Sequence, residues 1–189
     1  VLQHLQDESF APTILRFGTI YGLSGRTRFD LVVNLLSAKA VKEGKITVFG
    51  AEQWRPFVHV DDVSEAVYLM LKSPAKAVCG QIFNVGSDEQ NCTLGDVGRL
   101  VQKVVPTAEL IESDSDGDRR NYRVSFSKIR EAVGFKAQWT LEEGVKQVVR
   151  RLESGEIVDY MDSRYSNVKT LSESAGHEGL RAENEWLRS

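Results

Sequence analysis

The pattern of this chain predicts an α/β fold with parallel strand pairing, and three observations carry that prediction. Short apolar runs closed by glycine recur at residues 11–21, 45–49 and 81–85. Amphipathic stretches of helical period separate them. Side chains suited to capping, Asp62, Thr93 and Thr140, stand just ahead of three of those stretches. In such a sheet ligands are expected at the carboxyl ends of the strands.

Residues 11–21 form the first strand signal, apolar on both faces and closed by Gly22, as in a strand buried within a parallel sheet. Residues 28–43 read as a helix, with Leu31, Val32, Leu35, Leu36 and Ala40 on one stripe and Gly44 ending it. A short strand at 45–49 follows. Asp61 or Asp62 then opens a second helix, Asp62 and Glu65 having capping-box spacing and Val63, Ala66, Val67, Met70 and Leu71 forming the inward stripe. After the strand at 81–85, Thr93 caps a helix over 94–105 that Pro106 terminates. Residues 113–118 are an acidic loop, 127–133 a short helix ended by Gly134, and Thr140 with Glu143 opens a last regular helix. Beyond Gly155 the pattern weakens, residues 159–189 being polar with a helical option only at 180–187.

A chain of 189 residues with 41% hydrophobic and 27% charged content is that of a globular protein, which excludes disorder as the default. A formal net charge of -3 leaves no basic surplus to neutralise a polyphosphate backbone, so no nucleic-acid partner is expected. A few arginines still suffice for one diphosphate. Cys79 and Cys92 lack metal-ligand spacing and His4, His59 and His177 are isolated, so neither a disulfide framework nor a metal site is expected. No apolar run approaches the roughly 20 residues that span a bilayer and no signal peptide opens the chain, which makes the cytoplasm the expected compartment, with no membrane partner. The opening Val1 and the helix-like residues 1–5 lead us to expect a piece of a longer protein.

The chemistry of the chain centres on Trp54-Arg55-Pro56-Phe57-Val58-His59-Val60-Asp61-Asp62. Arg55 offers a planar, permanently charged donor fork suited to phosphate, and Pro56 restricts it to extended backbone. His59 reads as a half-buried strand residue and Trp54 as packing. Arg16, lying in an apolar strand, needs a polar partner if buried.

Five blocks in order, Leu15-Arg16-Phe17-Gly18-Thr19-Ile20-Tyr21-Gly22, residues 26–34, residues 54–62, Phe83-Asn84-Val85-Gly86 and residues 118–128, resemble the extended short-chain dehydrogenase/reductase family. Within it they are similar to the NAD-dependent nucleotide-sugar epimerase/dehydratase branch. The resemblance covers residues 1–153, about the C-terminal half of a member, and leaves 154–189 as a weakly structured extension. It implies the C-terminal part of a Rossmann-type parallel sheet with a smaller α/β substrate-binding lobe, NAD as cofactor, a nucleotide diphosphate sugar as substrate and a homodimer. The implied reaction is hydride transfer to NAD giving a keto-sugar, followed by epimerisation or dehydration.

Carried over residue by residue, the resemblance makes Arg55 and Arg120, the latter in the pattern Asp118-x-Arg120-x-Tyr122, the diphosphate ligands. Thr19 stands where the family usually has an asparagine and becomes a polar sugar or phosphate contact. Arg28 and Asn34 line the nucleotide side, and Phe17 and Tyr21 border the nicotinamide. No catalytic residue is assigned. A glycine-rich cofactor turn is missing, since Gly95 and Gly98 fall inside a predicted helix, and the family's Tyr-x-x-x-Lys pair would precede Val1. Tyr68/Lys72 and Tyr165/Lys169 have that spacing by coincidence. Two readings follow: the substrate-binding half of an epimerase/dehydratase, inactive as an isolated fragment, or a non-catalytic nucleotide-sugar or dinucleotide sensor on the same scaffold.

Overall fold

The computed structural model describes residues 10, 12–114 and 120–174, apart from the side chains of 172–174. Its strands are β1 (Ile14–Phe17), β2 (Thr19–Tyr21), β3 (Lys45–Phe49), β4 (Trp54–His59), β5 (Ile82–Val85), β6 (Asn91–Thr93) and β7 (Glu109–Ser113). Its helices are α1 (Val32–Glu43), α2 (Val60–Lys72), α3 (Ala75–Val78), α4 (Leu94–Val104), α5 (Ser127–Val133), α6 (Leu141–Glu153) and α7 (Asn167–Ser174). The pairs β1/β5, β2/β4 and β3/β7 are all parallel, as the alternating pattern predicts. The sequence did not signal β6, which runs antiparallel along β4 with Cys92 opposite Arg55, nor β7, nor α3.

The expected single strand over 11–21 is two strands, broken at Gly18. Its N–H bonds Val85 O at 3.0 Å, continuing β1 along β5, after which the chain crosses to pair with β4. A Cβ at Gly18 would sit 3.2 Å from the Pro56 and Phe57 backbone, a tight contact, so the crossing favours a residue without a side chain. β1 also differs from a strand buried on both faces. Ile14, Arg16 and Phe17 are exposed, and only Leu15 packs into the core.

β4 organises the interior. Phe57 and Val58 are both fully buried on opposite faces, Phe57 in a cluster built from β3 and the inner sides of α1, α4 and α6, Val58 in one built from α2, β5 and α5. Because strand side chains alternate, Arg55 and His59 share the Phe57 face. Thr93 caps α4 and the Thr140–Glu143 box opens α6 as expected, and the Thr93 cap closes as a full box with Asp96.

Two helix starts differ from expectation. α1 begins at Val32 rather than Arg28, because residues 28–31 are drawn into a loop by the Asn34 amide, which donates to Arg28 O at 2.9 Å. α2 begins at Val60 behind His59, whose Nδ1 accepts the Asp61 N–H at 3.2 Å, and the Asp62–Glu65 box does not form. The Asp62 carboxylate, 2% exposed, instead accepts Gln138 N–H at 2.8 Å and Trp139 N–H at 3.2 Å, tying α2 to the segment before α6. That rotation turns Asp62, Ala66 and Met70 inward and leaves Val67 and Leu71 exposed, a narrower stripe than the apolar spacing implied.

Residues 157–171 lie against the body. Ile157 and Tyr160 are buried with Phe29, Ala38, Val148 and Leu152 in a third cluster. The helical option at 180–187 lies outside the described residues.

Candidate functional site

A cleft of about 720 Å³ opens at the carboxyl ends of β1, β2 and β3, with Gln53 and Arg55 entering from the start of β4. All seven residues singled out from sequence border it: Phe17, Thr19, Tyr21, Arg28, Asn34, Arg55 and Arg120. So do Arg26, Asp30, Gln53 and Phe49. Arg26, Arg28, Arg55 and Arg120 meet one carboxylate, Asp30, on its walls, and this excess of guanidinium over carboxylate suits the cleft to an anion.

Arg55 is 7% exposed and held by protein oxygens. Its Nη1 donates to Trp54 O at 2.8 Å and to Arg120 O, its Nη2 to Gln53 Oε1 at 2.9 Å, and its guanidinium lies 5.6 Å from the Tyr122 ring centroid. The two arginines are thus joined directly, side chain to backbone, across 65 positions of sequence. Gln53 was not anticipated, although it stands two residues before Arg55, on the same face of an extended segment, and that spacing is its signal.

Arg28 and Asn34 stand differently from a simple pair of ligand contacts. Arg28 forks onto Asp30 through Nε at 2.9 Å and Nη2 at 3.0 Å. Burial would raise the Asp30 carboxyl, but the Arg28 bonds and charge, with the Asn167 N–H, outweigh it and hold it below the ordinary range. Asn34 is 2% exposed; its Oδ1 accepts Gly22 N–H at 3.1 Å and its Nδ2 donates to Gly22 O and Arg28 O, so it shapes the loop at the cleft's edge. Gly22 has φ +97° and a Cβ there would fall 2.2 Å from His59 Nε2, which fixes glycine at this turn.

Phe17 is 41% exposed at the cleft, whereas Tyr21 is almost fully buried behind it. The Tyr21 hydroxyl donates to Gln90 Oε1 at 2.7 Å, and burial, reinforced by the Asp62, Glu143 and Cys92 charges, pushes its pKa far up. It is a neutral donor within the core. His59, fully buried rather than half-buried, stacks on Trp139 at 3.9 Å. Since its Nδ1 accepts the Asp61 N–H, Nε2 carries the proton given to Gln147 Oε1 at 3.0 Å, and Gln147 Oε1 also accepts Leu23 N–H at 3.1 Å. Trp54 lies off the cleft under the Arg123 guanidinium at 4.5 Å, and Arg16 is exposed.

Neither coincidental Tyr-x-x-x-Lys spacing borders the cleft. Lys72 lies over the Tyr68 ring on the outer side of α2, and Lys169 donates to Met161 O at 2.7 Å. Gly95 and Gly98 are packing glycines of α4, where added Cβ atoms would fall 3.1 Å from Ala51 O and 2.6 Å from Val48 Cγ2. They do not fit a dinucleotide's pyrophosphate. Among the described residues no group of His, Cys, Asp and Glu could hold a metal ion, and no helix is long and apolar enough to cross a membrane.

Residues 1–86 match a family model described as "NAD dependent epimerase/dehydratase family". The chain is 31% identical over 132 residues to dTDP-glucose 4,6-dehydratase of Xanthomonas campestris pv. campestris, covering 64% of this chain and 37% of that protein. It is 28% identical over 141 residues to dTDP-L-rhamnose 4-epimerase of Burkholderia thailandensis, covering 72% of this chain and 38% of the relative. Among solved structures, TunA, an NAD dependent NDP-hexosamine 5,6-dehydratase, aligns with TM-score 0.69 and 25% identity over 84% of this chain and 52% of its own. UDP-glucose 4-epimerase of Thermotoga maritima, with UDP-glucose, aligns with TM-score 0.66 and 24% identity over 79% and 48%, a likeness of fold. The chain therefore spans well under half the length of these curated relatives and about half that of the solved chains.

Proposed function

Because residues 1–86 match the model of the NAD dependent epimerase/dehydratase family, we propose that the cleft is the nucleotide diphosphate sugar site of a nucleotide-sugar epimerase or dehydratase. The observation that carries this is the gathering of Arg26, Arg28, Arg55 and Arg120 on one cleft against a single carboxylate. Arg55 and Arg120 receive the diphosphate as charge-assisted donors. Arg55 reaches that role already fixed by Gln53 and the Arg120 carbonyl, so little side-chain entropy remains to be lost on binding. Thr19 faces the sugar, and Phe49, 57% exposed, offers a flat apolar face for the base. Arg28 and Asn34 act at the nucleotide side by holding the rim.

The cofactor that this reading implies is NAD, which when bound would supply the hydride acceptor for the sugar. In this reading the exposed Phe17 stands at the nicotinamide border, with Tyr21 packed behind it. Residues 1–153 form the substrate-side half and 154–189 an extension to it, in a cytoplasmic protein whose Cys79 and Cys92 are free thiols.

Calorimetric titration of the intact protein with UDP, UMP and uridine, and with the thymidine series, tests the reading. The diphosphate is expected to bind at least tenfold more tightly than the monophosphate, and the nucleoside to bind weakest. Equal affinity across either series overturns a diphosphate site.

A further inference from the structure

The rim of the cleft is held from outside by a segment that does not line it. Loop 22–30 supplies Gly22, Ser24, Arg26, Arg28 and Asp30 to the cleft, and residues 160–170 lie along its outer side. Each nitrogen of the Arg26 guanidinium makes one bond to that segment: Nε donates to Arg164 O at 3.0 Å, Nη1 to Asn167 Oδ1 at 2.7 Å and Nη2 to Thr170 Oγ1 at 2.9 Å. The loop backbone is tied as well, Phe29 N–H donating to Tyr165 O at 2.9 Å and Asp30 Oδ2 accepting Asn167 N–H at 3.3 Å.

Packing fixes the same pair of segments. The Phe29 ring, 3% exposed, meets Tyr165 edge-on at 5.4 Å and Tyr160 at 6.0 Å. Tyr160 is anchored in turn on α1 through its hydroxyl bond to Glu43. The segment has its own internal ties: the Thr170 hydroxyl lies 2.8 Å from both Ser163 O and Ser166 O and shares its single proton between them, and Asp162 Oδ1 accepts Arg164 N–H at 3.0 Å. Asp30 therefore has two duties, receiving the Arg28 fork on the cleft side and the start of α7 on the other.

We propose that residues 160–170 are a strap that positions loop 22–30, so that the cleft's affinity for a nucleoside diphosphate depends on side chains outside the cleft. The affinity part rests on the diphosphate reading above; the positioning of the loop does not. Without the strap the ends of Arg26 and Asp30 lose their outer partners, and the loop that presents Arg28 must be ordered by the ligand at the ligand's expense.

The test uses the intact protein with Asn167→Ala combined with Thr170→Val, which removes two Arg26 acceptors without altering a cleft residue. Thr170→Ser keeps the hydroxyl and serves as the conservative variant. Two readouts are taken: amide hydrogen exchange in residues 22–30 and the Kd for UDP and dTDP. The double variant is expected to exchange at least fivefold faster in 22–30 and to bind about tenfold more weakly, with the global Tm nearly unchanged, while Thr170→Ser matches wild type in both. Unchanged exchange in the double variant overturns the strap, and faster exchange with unchanged Kd overturns its control of affinity. A wild type that binds neither nucleotide overturns the diphosphate reading and the affinity claim with it, and the exchange rates then decide the positioning claim alone.

Discussion

At the scale of single residues, the site is governed by groups whose partners leave them little choice. Asp62 is the clearest, a buried carboxylate whose two oxygens each accept a backbone N–H from the 138–139 segment. Asp62→Asn keeps one acceptor and sets an NH2 donor against the other N–H, so it is expected to lower stability by about 1–3 kcal/mol, read from the urea midpoint. An unchanged midpoint contradicts that account. Gly22→Ala is expected to cost roughly 2–4 kcal/mol, because it combines a left-handed backbone with a Cβ inside the contact distance of His59 Nε2. The local chemistry of Arg55 and Pro56 was legible in the sequence, and the family resemblance singled out seven of the residues that border the cleft. What sequence could not supply were the protein partners of those side chains. Asn34 and Arg28 are spent on Gly22 and Asp30, and such pairings depend on where a loop closes, which no periodicity records.

At the scale of elements, helix ends illustrate which signals survive folding. The Thr93 and Thr140 caps read correctly because each box closes within one turn and needs no tertiary partner. The Asp62 box failed because a buried pair of N–H groups outbid the local bond for the same carboxylate. The α4 box also carries a pH dependence. The Thr93 hydroxyl bond, against a smaller opposing effect of burial and helped by the Thr93 N–H and by Arg99, holds the Asp96 carboxyl below its ordinary value. A depressed folded-state pKa contributes stability that is present above the unfolded value near 4 and is lost as pH falls through the folded value. Asp96→Asn is therefore expected to melt lower than wild type at pH 7, with the gap narrowing below about pH 4; a gap that stays constant to pH 3 contradicts the assignment. The break of residues 11–21 into β1 and β2 was hidden for a different reason. Gly18 looked like one small residue in an apolar run, and its role appears only once the Pro56 and Phe57 backbone lies against it.

At the scale of the whole molecule, the alternation of strand and helix was enough to predict the parallel α/β fold, since three parallel pairs repeat the same logic. The position of 157–171 was not, because a polar segment with scattered Ile157, Tyr160 and Tyr165 has no period and finds its place through Phe29. The fold brings Arg55 and Arg120 to one cleft, with Tyr21 packed behind it as a buried neutral donor. The isolated 189-residue chain is accordingly expected to give no NAD-dependent turnover of a nucleotide sugar, and detectable epimerisation by it alone contradicts the division of labour. The diphosphate clamp is tested most directly by calorimetric titration of the intact protein with UDP- and dTDP-sugars, in wild type, Arg55→Ala and Arg120→Ala. Each substitution is expected to cost about 2 kcal/mol or more of binding free energy, as for a charge-assisted bond in a partly dry site. Unchanged affinity in both variants contradicts the clamp.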